Sequence, residues 1–405
     1  MNQGKYVFSQ IVELITQYEF DRCVKRYNGN NRVRNLSCRD QFLSMVFGQL
    51  TNLRSLRGIV LCLNAHSNLL YHLGFKSNHF TLSTLSRANE NRDWKMYHDL
   101  AQTLIVSARA LYLNDNDFEI KLDGAVYALD SIIIDLCLAT FRWAYFELGK
   151  SAVKIHTQLD FKGNIPSFFL ITKAKTHDVN FLDILEFEAG AIYIMDRGYL
   201  DFERLYKIHL QKAFFVIRAK GSLSFAKILS NKVDKSTGLR FDQIIKLKHF
   251  YSNKHYPEKL RRVKYYDQET YNYYIYLTNN VELSAKNVAD LYKHRWQIEL
   301  FFKWIKQHLR IEVFWGRSIN AVKTQICIAI CSFLLVAILK KELKIKRDLY
   351  EILQILALSQ FEKTPITLWF LSLHHKLLWS KFRNAYFHWI FNATLVRFGV
   401  CDVRA

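Results

Sequence analysis

Two aspartates of this chain stand where a carboxylate is costly. Asp130 lies in YALDSIII and Asp196 in IYIMDRGY, each bordering an apolar run that reads as a strand. A carboxylate at the rim of an apolar sheet needs compensation. A divalent cation supplies it, because Mg²⁺ and Mn²⁺ take oxygen ligands and need more than one carboxylate. A neighbouring arginine, or a turn at the strand end, supplies it too. For either aspartate alone these readings stay open.

A third acid, Glu299, stands out by its company. It sits in LYKHRWQIELFFKWIKQHL, residues 291–309, a cationic and aromatic stretch. Tyr292, Arg295, Glu299 and Lys306 follow one another at offsets of 0, 3, 7 and 14. On a regular helix those offsets fall within roughly 60° of one face. Leu291, Ile298, Phe302, Ile305 and Leu309 form an adjoining apolar stripe. The helix therefore packs by one stripe and presents a phenol, a guanidinium, a carboxylate and an ammonium beside it. Arg295 and Glu299 are also an i, i+4 pair, and a surface salt bridge worth a few tenths of a kcal/mol accounts for those two alone. It does not account for Tyr292 and Lys306 on the same edge.

The elements that must position these residues show in the periodicity. Residues 1 to about 110 carry apolar side chains at three- and four-residue intervals, the pattern of helices. They read as a small basic bundle or a DNA-binding domain. From residue 118 the chain turns to strands. FEIKLDGAVYALDSIIIDL is one, and AVKIHTQLDFKGNIPSFFLITKA holds two more about a DFKGN turn. AIYIMDRGYLDFERLYKIHL reads as strand, tight turn at Arg197-Gly198 and helix, and AFFVIRAK as a further strand. Residues 222–282 alternate polar and apolar through several short runs, a β-rich insertion. Helix returns at 284–309 as one element with Ser284 as its N-cap.

The chain has 405 residues, is half hydrophobic, and contains three prolines and 14 glycines, so a folded protein of two or three domains is expected. The formal charge of +21 makes nucleic acid the leading partner. An anionic membrane is the rival, but the charge is spread along the chain rather than held in one amphipathic helix. Seven cysteines without a C-x-x-C fit free thiols in a reducing compartment. ICIAICSFLLVAIL, 326–339, is shorter than a bilayer span and reads as a buried helix. With no export signal visible, the cytosol is expected and a membrane is not.

Beside these acids, Asp135 falls on the opposite strand face, Asp160 suits the hairpin turn, and Asp123 is a weak candidate. His177-Asp178 could support the metal ligands from behind but reads better as a loop or helix cap, and His156 reads as a strand histidine near the sheet surface. Trp296 and Trp304 flank the motif, at a helical spacing that suits core or interface positions better than base stacking.

The spacing Y-x2-R-x3-E-x6-K, met by Tyr292, Arg295, Glu299 and Lys306, resembles the signature of the insertion-sequence DDE transposases known as the IS-Four family. LDGAVYALDSIIIDLCLATFRWAYF and YIMDRGYLDFERL resemble the family's first- and second-aspartate regions, in order, and the likeness covers roughly 118–340. It implies an α/β fold: a ribonuclease H-like catalytic core at 113–345 with the β-rich insertion at about 222–282. A helical DNA-binding domain at 1–112 would precede it, and a helical region at 346–405 would follow.

The resemblance further implies that Asp130, Asp196 and Glu299 hold two Mg²⁺ ions, with Mn²⁺ as a substitute, and that Tyr292, Arg295 and Lys306 hold DNA phosphates. The enzyme would bind inverted-repeat ends as a dimer in the synaptic complex. It would cut them through hairpin ends and join the 3′ ends to target DNA. The alternatives are a ribonuclease H-fold nuclease or resolvase without strand transfer, and a domesticated relative that only binds DNA.

Overall fold

The computed structural model describes residues 4–370, except 116–121, 123, 148, 149, 220, 222, 310 and 312. Asp123 and the final stretch 371–405, with Cys401, lie outside the described residues.

The N-terminal periodicity becomes the helices Val7–Val12, Gln17–Arg26, Cys38–Leu50, Leu56–Ala65, Leu82–Asn91 and Lys95–Tyr112. Thr16 with Glu19, and Ser37 with Asp40, close reciprocal capping boxes that fix the starts of two of them. The apolar run near residue 330 becomes a longer helix, Ile319–Glu342, which Ser318 caps. Its length and mean hydropathy of 2.2 would suffice to cross a membrane, so the length argument from sequence fails. It is the buried helix expected all the same, because 94% of that apolar window is covered by the protein. The helix packs against Cys38–Leu50, Leu82–Asn91 and Lys95–Tyr112, so one apolar core joins the N-terminal helices to those that follow residue 318. Helices Leu349–Ser359 and Ile366–Phe370 follow it.

Ten strands among the described residues form one mixed sheet. They are β1 (Val126–Leu136), β2 (Tyr145–Glu147), β3 (Lys150–Asp160), β4 (Ile165–Lys173), β5 (Ile192–Met195), β6 (Phe214–Arg218), β7 (Phe225–Asn231), β8 (Leu239–Leu247), β9 (Leu260–Asp267) and β10 (Asn272–Thr278). β1 pairs antiparallel with β3 and β3 with β4, while on the other side β1 pairs parallel with β5 and β5 with β6. Two apolar faces result. One packs on the long helices. The other covers Phe181, Tyr199, Leu205 and Ile208 of the connecting segments.

The β3–β4 turn is DFKGN, with Gly163 at φ 68° and Asn164 at φ 53°. A Cβ at Gly163 would lie 2.1 Å from the Tyr112 ring, so the residue is fixed by backbone twist and by the helix behind it. The β-rich stretch expected at 222–282 does not stand apart. β10 pairs with β6, and β9, β8 and β7 follow outward, so the stretch continues the sheet.

Candidate active site

Strand register brings the two aspartates together. The parallel ladder of β1 with β5 ends at the pair Leu129 and Met195, and the next residues are Asp130 and Asp196. They stand side by side where the parallel ladder ends, Asp130 midway along β1 and Asp196 just past the carboxyl end of β5, at the kind of place where α/β sheets put their ligand crevices. Beyond Leu129, β1 keeps its pairing with β3 only, which leaves its other edge open toward Asp196.

The helical segment that faces them differs from the sequence reading. Ser284 does cap it, accepting from Asn287 N–H, but the single helix expected over 284–309 is two: Ala285–His294 and Trp296–His308. They meet at Arg295, whose φ of −52° and ψ of −29° are those of a 3₁₀ turn. The ladder tightens there, with Arg295 N–H donating to Tyr292 O at 3.1 Å and Ile298 N–H to Arg295 O at 3.1 Å. The physical reason is at the end of the side chain. Arg295 Nη1 donates to Asp130 Oδ2 at 2.6 Å and Nη2 to Glu299 Oε1 at 2.5 Å. The expected apolar stripe is buried on both sides of the joint, at Leu291, Ile298, Phe302, Ile305 and Leu309.

Tyr292 lies against Tyr276, ring centroids 4.6 Å apart, and donates its hydroxyl to Asp196 Oδ1 at 3.3 Å. Burial, and then the charge of Asp196, push its phenol up to about 12 against the pull of Arg295. Lys306 lines a groove of about 450 Å³ with Asp130, Ser131, Glu299, Phe302 and Lys303. All six expected site residues therefore gather at one place. Arg295, expected on DNA, is instead joined to two of the acids.

Burial raises the Asp130 carboxyl to about 6. Arg295 and the Ser131 N–H draw it down, while Glu299 and Asp196 push it up, so the three acids feel one another. Arg295 is itself held firmly protonated; burial opposes its charge, and Asp130, Tyr292 and Glu299 more than offset that. Mutually repelling carboxylates around a cation form a donor set that suits a hard divalent ion. Among the described residues, no three acid, histidine or cysteine groups stand close enough to hold a metal as they are. In this arrangement the compensating cation is a guanidinium.

Several contributors escaped sequence reading. Ser131 N–H donates to Asp130 Oδ1 at 2.8 Å, and on the other sheet face Ser131 Oγ donates to Asp178 Oδ1 at 2.6 Å. Lys154 Nζ donates to the same oxygen at 2.9 Å, so Asp178 is more than a cap. Strand alternation at Ser131 would have pointed away from Asp130, and nothing in sequence ties 154 to 178. Lys303 could have been found, since it is four residues after Glu299. His156 is a correction: it is 1% exposed, between strands and Phe181, and burial lowers its imidazole to about 4. Asp160 does serve the hairpin, accepting Lys162 N–H at 3.0 Å, and its other oxygen binds Arg109 at 2.9 Å. Asp135 is exposed. Trp304 packs on Phe333, ring centroids 5.0 Å apart, while Trp296 is half exposed.

Fold and site together define an α/β protein with two acids where its central parallel strands part, a third on the helix that faces them, and a lysine-lined groove beside them. The profile of the transposase DDE domain matches residues 122–335, and the chain belongs to that family. Residues 3–76 match a second family, a domain of unknown function designated DUF4372.

A protein of Sinorhizobium fredii named as transposase y4zB is 32% identical over 230 residues, covering 55% of this chain and 64% of the relative. One from Geobacillus stearothermophilus, named for insertion sequence element IS5377, is 28% identical over 209 residues, 51% of this chain and 54% of the relative. One from Synechocystis, named for insertion sequence element IS4SA, is 22% identical over 284 residues, 67% and 75% of the two chains. The chain thus spans less than two thirds of the length of the first two. A cryo-EM structure of the piggyBac transposase synaptic complex with hairpin DNA aligns at 11% identity and a TM-score of 0.44, covering 89% of this chain and 81% of the other.

Proposed function

We propose that the chain is a DNA transposase that cuts the ends of a mobile element by metal-assisted phosphoryl transfer and joins the 3′ ends to target DNA. One observation carries this reading: strand register sets Asp130 beside Asp196, and Arg295 ties Glu299 to the same point. The strand order β4-β3-β1-β5-β6, antiparallel then parallel about β1, supports a ribonuclease H-like core. Family membership and the +21 charge support DNA as the partner.

Asp130, Asp196 and Glu299 would hold Mg²⁺, two ions in the full reading. Bound there, the metal would supply Lewis acidity at the scissile phosphate and a more acidic attacking water or 3′-hydroxyl. The chain's own groups prepare that chemistry. Ser131 N–H orients Asp130, and the Tyr292 hydroxyl orients Asp196. Lys303 and Lys306 neutralise the phosphate in the groove, and Arg295 is suited to a bidentate grip on it. Helices of 1–112 would bind the element ends, two copies would act in the synaptic complex, and hairpin ends would be the cleavage route in a bacterial cytosol.

Pre-cut end duplexes incubated with target plasmid and Mg²⁺ test this function. Covalent end–plasmid products are expected. Cleavage of uncut ends without any joined product would instead make the protein a nuclease of this fold.

A further inference from the structure

Arg295 stands where the acids would need to grip a metal. Its two terminal nitrogens reach Asp130 at 2.6 Å and Glu299 at 2.5 Å, and its side chain is only 16% exposed. Asp130 has its other oxygen on the Ser131 N–H, so both of its oxygens are committed. Arg295 Nε is buried without a hydrogen-bond partner, and the residue sits at the joint of two helices, outside the regular ladder of either. The arginine is therefore held by its guanidinium, on the two acids and over the Tyr292 ring with Cζ 5.8 Å from the centroid. A guanidinium and a divalent cation cannot both occupy the space between these two carboxylates, because each repels the other at such short range.

The same groove supplies a reason for the arginine to leave. Lys303 and Lys306 line it together with the acids, so a phosphate drawn in by the lysines arrives beside Arg295. A phosphate offers the planar guanidinium a bidentate partner as good as the carboxylates it gives up. We infer that Arg295 and the divalent metal are alternative occupants of Asp130 and Glu299, and that a DNA phosphate in the groove draws Arg295 away and admits the metal. Metal and DNA then bind with positive coupling, each raising the affinity of the other by the same factor. Away from DNA the arginine keeps the acids neutralised and the centre unloaded. This inference rests on the proposed metal role of the three acids and adds to it the residue that governs loading.

The test measures metal binding to the full chain, without reading activity. Bound Mn²⁺ is counted from the loss of the free-ion EPR signal, with protein alone and with a saturating duplex, about 30 base pairs long and of arbitrary sequence. Arg295→Gln is expected to bind Mn²⁺ at least about tenfold more tightly than wild type without DNA. The duplex should raise wild-type affinity by a similar factor and that of Arg295→Gln by less than about threefold. Lys246→Gln removes the same charge from an exposed position of β8, outside the groove, and its DNA-free affinity should stay within about threefold of wild type. Arg295→Lys, which keeps the charge but reaches only one acid at a time, should lie between wild type and Arg295→Gln; it serves should the glutamine variant not fold.

Equal Mn²⁺ affinity in wild type and both Arg295 variants, with Asp130→Asn and Glu299→Gln abolishing it, would overturn the exchange and leave the metal site standing. Undiminished Mn²⁺ binding by Asp130→Asn and Glu299→Gln would overturn the metal role itself.

Discussion

Ser131 donates its hydroxyl to Asp178 at 2.6 Å, so the residue after the central aspartate is anchored from the opposite face of the sheet. The anchor matters because β1 has no parallel partner beyond that point. Lys154, 9% exposed at its side chain, closes the network through Asp178 and Thr176 O. Asp178→Ala should cost about 1–3 kcal/mol, since it leaves a buried ammonium short of its acid, and Ser131→Ala about 1 kcal/mol. Urea unfolding measures both. Burial works to raise the Asp178 carboxyl, but the bonds from Ser131 and Lys154 more than offset it, and it lies below the ordinary range. Its contribution is therefore present above the unfolded carboxylate value near 4 and is lost as pH falls through the lower folded value.

Asp130 has the opposite sign. Its carboxyl titrates at about 6 in the folded chain, chiefly through burial. The folded state holds that proton more tightly than the unfolded state, so stability falls as pH rises from about 4 to 6 and stays lower above. Asp130→Asn leaves Arg295 one acid short at every pH, but relative to wild type it should gain roughly 1–3 kcal/mol of stability between pH 4.5 and pH 8. Chemical denaturation at the two pH values checks it. Cleavage should have the opposite dependence, weakening as pH falls, because the proton and the metal compete for the Asp130 carboxylate.

Lys303 and Lys306 face the groove with no ion pair of their own among the described residues. Replacing either by alanine should weaken DNA binding evenly across sequences. The slope of log K against log salt should fall in magnitude by about one for each phosphate no longer neutralised. A fluorescence-anisotropy salt titration gives the slope directly; an unchanged slope for Lys306→Ala removes that residue from the phosphate-binding set.

Much of this architecture was legible in the sequence because local chemistry set it. Ser284 as a cap, DFKGN as a turn, and the apolar stripe from Leu291 to Leu309 depend on neighbours within a few residues. The site residues were legible for a different reason: acids beside apolar runs are rare enough to stand out. What escaped depends on residues far apart in the chain. The break at Arg295 follows from Asp130, 165 residues earlier, and cannot be seen in a helical wheel. Ser131 and Asp178 meet only because a connecting segment folds across the back of β1. His156 looked superficial because β3 alternates, yet both faces of that strand are covered. Continuity of the insertion with the main sheet rests on β10 pairing β6, which periodicity cannot choose.

The proposed activity stands or falls on Asp130, Asp196 and Glu299 acting as one metal-dependent cleavage centre on DNA. The most direct measurement is Mg²⁺-dependent cutting of a duplex carrying the element end, by wild type and by Glu299→Ala, with end binding followed on the same samples. Glu299→Ala should bind the end within a few-fold of wild type and cut it at least about a thousandfold more slowly. Full cutting by Glu299→Ala, at wild-type rate and with the same metal requirement, would contradict that role for the three acids.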